Sequence, residues 1–133
     1  KENNGMKDYL VICDHTGEGY APVWDYQNWR MAMIRDCEAM HRENIDTVSK
    51  HMETDETFTL LEGQAWLYLC GGNDRPSAFS RYALEPGKTY VVRAGTWHST
   101  VTAPGCKILI VENVDTGDAN TVKYKIPLGS LPE

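Results

Sequence analysis

The chain has 133 residues, 41% hydrophobic and 24% charged, which suits one domain with one core and calls for no staple. Its 13 Lys and Arg against 19 Asp and Glu leave a net charge of −6, so the basic surface that nucleic-acid binding needs is missing. No run of 18 apolar residues exists to cross a bilayer, and the polar first residues lack a signal peptide's apolar stretch. The expected setting is therefore the cytoplasm, with no membrane partner.

A single domain is expected over 1–133, with residues 1–8 as a flexible arm. Residues 9–13 form a short apolar run and read as a strand. Gly17, Gly19 and Pro22 then break the chain. Residues 24–41 admit two readings. Trp29, Met33, Cys37 and Met40 recur at helical spacing, whereas residues 30–35 suit a buried strand. The β character of everything downstream favours the strand.

From Val48 the strand signals are clearer. Residues 57–61, 65–69, 79–84, 89–93, 98–102 and 107–111 are rich in β-branched, aromatic and aliphatic side chains. Glu62-Gly63, Gly71 to Asp74, Pro86-Gly87, Gly95 and Pro104-Gly105 supply the turns. A last short strand fits residues 121–126. Many short strands with Gly and Pro turns indicate an all-β sandwich or barrel.

The four cysteines, Cys13, Cys37, Cys70 and Cys106, are dispersed and contain no C-x-x-C pair. A zinc knuckle or redox dithiol is not expected. Counting alone leaves two disulfides open, but four small buried hydrophobes in a reducing cytosol is the favoured reading.

His51, Glu56 and His98 stand out as metal donors. Two imidazoles and a carboxylate suit Zn, Fe, Mn, Ni or Cu, and are a known set for non-haem iron. Strand alternation puts Ser49, His51 and Glu53 on one face. Thr54-Asp55 then turns the chain, and Glu56 opens the next strand facing inward. His98 follows the Gly95 turn on a distant strand, so closure of the fold is needed to bring it near His51.

The glycines around these residues carry a resemblance to the cupin superfamily. Its first motif is Gly, five residues, His-x-His, three or four residues, Glu, six residues, Gly. Here the chain reads Ser49-Lys50-His51, four residues, Glu56, six residues, Gly63. The second motif is Gly, five residues, Pro-x-Gly, two residues, His, three residues, Asn. Here it reads Gly87, five residues, Arg93-Ala94-Gly95, two residues, His98, three residues, Thr102. The departures are Ser49 for the first metal-binding His, Arg93 for Pro and Thr102 for Asn.

The resemblance implies a single-domain cupin barrel, the double-stranded β-helix or jelly roll. It implies a divalent transition metal, Zn, Fe, Mn or Ni, on His51, Glu56 and His98, inside a homodimer. Ser49 leaves three protein ligands, so either the site binds metal with water completing the shell, or it has drifted to metal-free binding. Glu53 is a replacement carboxylate or, as preferred here, a solvated turn residue. The expected ligand is a small polar metabolite, carboxylate- or sugar-like, and the expected chemistry is that of a metal-dependent lyase, isomerase or oxygenase. A non-catalytic binding module is the alternative. A looser similarity to ureidoglycolate lyase, over Gly95-Thr96-Trp97-His98 and the acidic stretch at 111–120, implies a third reading, an enzyme releasing glyoxylate.

Ser49, Phe58, Trp66, Tyr68 and Arg93 are the expected substrate contacts. Trp66 and Tyr68 share one face of their strand and either line a pocket or fill the core. Arg30, Arg35, Arg81 and Arg93 are candidate clamps for a carboxylate or phosphate, with Arg93 favoured because it opens the turn before His98. Trp97 should face away from His98 and pack in the core or a dimer. His15 and His41 have no evident partner and are expected at the surface. Nothing resembles a nucleophile elbow, a P-loop or a dinucleotide fingerprint.

Overall fold

The computed structural model describes residues 9–133; the arm expected at 1–8 lies outside the described residues. Ten strands form two antiparallel sheets, in the order β1-β2-β9-β4-β7 and β10-β3-β8-β5-β6. In chain order they are β1 Gly19–Tyr26, β2 Trp29–Arg35, β3 Thr47–His51, β4 Glu56–Glu62 and β5 Ala65–Cys70. Then come β6 Ser80–Ala83, β7 Thr89–Val92, β8 Trp97–Thr102, β9 Lys107–Asn113 and β10 Thr121–Lys125. The only helical pieces among the described residues are three single 3-10 turns. None of them is long and apolar enough to cross a membrane.

The strand reading of 30–35 holds, as β2. The chain break expected at Gly19 and Pro22 does not: both lie in β1. Pro22 is tolerated because β1 is an edge strand, and the register shifts between Pro22 and Trp24, as a bulge requires. The strand expected at 9–13 is reduced to one bridge residue, Ile12. Leu10 and Ile12 stay exposed, so nothing rewards a full ladder there. The barrel expectation also needs correction. The sheets face each other as a jelly roll, but hydrogen bonding does not close them into a barrel.

The inward faces pack Ala32, Ile34, Phe58, Leu67, Ile108 and Ile110 into one core. Burial of each large aliphatic or aromatic side chain there contributes about 1.5–3 kcal/mol. Gly63 makes the passage from β4 to β5 possible. Its φ is +74°, and a Cβ would meet the Cys106 backbone at 2.8 Å. A second cluster, with Val48, Tyr68, Trp97, Val101 and Leu131, lies on the outer face of the second sheet. The C-terminal segment covers it. Tyr68 donates to the Pro132 carbonyl at 2.6 Å, and Arg42 donates to the carbonyls of Gly129 and Leu131 at 3.0 and 2.7 Å. All four cysteines are free; Cys70 and Cys106 are buried, Cys13 and Cys37 half-buried.

Candidate metal centre

Strand alternation dictates what reaches the space between the sheets. On β9, Ile108, Ile110 and Glu112 point inward; on β4, Glu56, Phe58 and Leu60; on β8, His98, Thr100 and Thr102. The rows of β4 and β9 are polar at one end, and that of β8 is polar throughout. His51 ends β3 and joins them. Its carbonyl accepts a 2.7 Å bond from the Gly95 amide, which ties the turn before His98 to the strand carrying His51. Gly95 sits at φ +81°, a conformation suited to glycine.

His51 and His98 both aim Nε2 at one atom, Glu56 Oε1, at 3.2 and 3.3 Å. The three donor atoms lie within 4.8 Å of one another. Glu56 is 6% exposed, and its Oε1 has no hydrogen-bond partner. The far nitrogens of both rings are held. His98 Nδ1 lies 3.1 Å from the Thr96 carbonyl, and His51 Nδ1 lies 2.8 Å from Thr121 Oγ1. A carbonyl only accepts, so His98 Nδ1 carries a proton, and a neutral ring then turns the Nε2 lone pair towards the carboxylate. Two electron-rich atoms at that separation need positive charge between or on them. A second proton on the imidazole or a metal ion satisfies this, so the donor set fits a divalent transition metal.

The charges agree. Burial pushes the Glu56 carboxyl up, but the two imidazoles outweigh it and hold the group well below its usual range. Contact with Glu56 raises His51, against the opposing effect of burial. Glu112 adds a second buried carboxyl. Thr57 pairs with Val111, so Glu56 and Glu112 are neighbours across the next step of the ladder. Burial first, and then the charge of Glu56, push Glu112 up, while a short hydrogen bond from the Tyr20 hydroxyl opposes this. Arg30 stands opposite Glu112 and is bound to Asp25 at 2.9 Å.

These groups line one end of a cavity of about 530 Å³ on the β1 and β10 side of the sandwich. Ser49 and Phe58 line it too, and Phe58 meets His98 edge-on at 6.2 Å. Trp66 and Tyr68 do not: both face away from the cavity, on the outer side of β5, where they flank a separate small hollow with Arg42 and Arg81. Arg93 is also elsewhere. It is exposed in the turn and reaches Asp55 at 3.4 Å. Glu53 is exposed and outside the donor cluster. Trp97 faces away from His98 and is fully buried. His15 and His41 are half-buried with partners rather than free at the surface: the Gly19 carbonyl at 2.8 Å and Asp36 at 2.7 Å. Sequence reasoning missed Glu112 and Tyr20.

No family model matches the sequence, and no curated protein is similar to it. Solved structures are. A cupin-2 domain protein from Shewanella frigidimarina superposes with a TM-score of 0.50 at 21% identity, over 73% of this chain and 83% of that one. HppE with Co(II) and substrate gives 0.50 at 17% identity, over 77% of this chain and 57% of that one. The Fe(II) form of HppE gives 0.51 at 14% identity, over 85% and 62%. The chain thus spans less than two thirds of HppE. At these identities the likeness concerns the fold, and the fold is that of a cupin.

Proposed function

We propose that His51, Glu56 and His98 hold one divalent transition metal, and that the cavity beside them takes a small polar metabolite for metal-assisted chemistry of the lyase, isomerase or oxygenase kind. The observation that carries this is the convergence of two Nε2 atoms on a buried carboxylate oxygen that has no hydrogen bond. A metal bound there would polarise a carbonyl or carboxylate oxygen or lower the pKa of a bound water.

The chain's own residues have definable parts. Thr96 and Thr121 orient the two rings and keep Nε2 directed inward. Arg30, Tyr20 and Glu112 present polar groups to a ligand on the same side as the donors. Phe58 packs edge-on against the His98 ring. Metal-bound forms among the structural neighbours are in keeping with this reading.

Elemental mass spectrometry on wild type and His51→Ala tests it. The expected result is close to one metal per chain, lost in the variant. No metal, even after loading with Zn, Ni, Mn and ferrous iron, overturns it. That result would favour a metal-free binding module, which Ser49 in place of a donor supports, with protonated imidazoles neutralising Glu56. The ureidoglycolate lyase reading has its own assay, glyoxylate release from ureidoglycolate.

The same proposal takes the protein as a homodimer in the cytoplasm. Four free thiols suit a reducing compartment. The outer face of the first sheet sets Met31 beside Val111 and Met33 beside Leu109, all half-buried, an apolar surface suited to pairing. Sedimentation equilibrium distinguishes a dimer from a monomer.

A further inference from the structure

The cavity is chemically divided along its length. At one end stand Arg30, Glu56, Glu112 and the two histidines. At the other stand the apolar side chains of Ile34, Met40 and Ile45. Arg30 and Ile34 lie at opposite ends of the inward row of β2, four residues apart, so the space runs for roughly 13 Å. Phe58 lies between the two ends, and hydroxyls of Thr47, Ser49 and Thr100 flank one side. Lys123, the other cation on the lining, faces Asp118 at 3.7 Å.

We infer that the site takes an amphipathic acid: an oxygen-bearing, metal-chelating head at His51, Glu56 and His98, joined to a short aliphatic chain that lies against Phe58, Met40 and Ile45. This rests on the metal reading above and narrows its ligand from carboxylate- or sugar-like to carboxylate-like with an apolar tail. A sugar hydroxyl or a second carboxylate laid against Ile34, Met40 and Ile45 would lose water and find no hydrogen-bonding side-chain group on those three residues. An aliphatic chain incurs no such cost and gains from each buried methylene.

Alkyl hydroxamates test this, because the head chelates a metal while the tail varies. Zn-loaded protein is titrated by calorimetry with acetohydroxamate, butanohydroxamate and hexanohydroxamate. Each fully buried methylene is worth about fourfold in affinity, so the series should rise by more than about tenfold from first to last. Adipic monohydroxamate, which places a carboxylate on the same chain, should bind at least about tenfold more weakly than hexanohydroxamate. Met40→Gln, nearly isosteric, should flatten the series and leave acetohydroxamate unchanged. Ile45→Thr serves as a second variant, with thermal melts checking that both fold. A flat wild-type series, equal binding of the adipic compound, or no hydroxamate binding to protein that holds metal overturns the inference. Absence of metal in the same sample, read by elemental analysis, overturns the functional reading beneath it.

Discussion

Ser49 lies directly opposite His98 in the β3–β8 ladder, on the same inward face. The cupin motif has its first histidine at this position, so the ring of donors is one short at a place the backbone already aims correctly. Ser49→His is expected to add a fourth donor and tighten metal binding by on the order of tenfold, the scale on which ligand-shell changes act. Competition titration against a chromogenic chelator measures it. Unchanged affinity would mean that the β3 backbone no longer presents this position to the ion.

The metal-free protein should show the charge coupling between Glu56 and His51 as pH-dependent stability. Glu56 is held below its unfolded value of 4.5, so its contribution is complete above that pH and is lost as pH falls through the folded value. His51 is raised above 6.5, so its contribution is complete below that pH and is lost as pH rises through the folded value. Between 4.5 and 6.5 both are present. Glu112, raised by burial, has the opposite sense to Glu56 and trims the upper part of this range. The comparison that isolates the pair is wild type against Glu56→Gln. The difference in melting temperature should be largest between 4.5 and 6.5 and shrink on either side. A difference independent of pH would contradict it.

Much of the site was legible because donor chemistry and turn glycines are local. His51, Glu56 and His98 are conspicuous by residue type, and Gly63 and Gly95 mark turns whose backbone only glycine suits well. The face on which a residue lies is less local. Alternation puts Trp66 and Tyr68 together, but both faces of the second sheet are covered, one by the first sheet and one by the C-terminal segment. Alternation cannot choose between them. Glu112 was readable in principle, as the charged end of the row Ile108, Ile110, Glu112. Tyr20 was hidden because Gly19 and Pro22 read as breakers, and an edge strand with a bulge tolerates both.

Tyr68→Phe separates the two faces experimentally. Tyr68 is 1% exposed, and its hydroxyl donates to the Pro132 carbonyl. Removing the hydroxyl should destabilise the protein by about 1 kcal/mol through the freed C-terminal segment. Ligand and metal affinity should not change, since the ring lies across the sheet from the cavity. Denaturant melts and a metal titration on the same sample check both statements, and a loss of metal affinity would place Tyr68 in the site after all.

Thr121→Val should do the reverse. Thr121 pairs with His51 between β10 and β3, and its hydroxyl sits 2.8 Å from Nδ1 of that ring. Valine suits an edge strand as well as threonine does, so the ladder should survive. What is lost is the group that orients the imidazole. Loss of such a partner typically costs ten- to a hundredfold in metal affinity, and about that much is expected here. The melting temperature of the metal-free protein should hardly move, because the hydroxyl is half-buried and no other side chain depends on it. A variant that keeps full metal affinity would show that His98, Glu56 and the β3 backbone fix the ring without help. A variant that loses affinity and stability together would instead show that β10 itself had come away from β3.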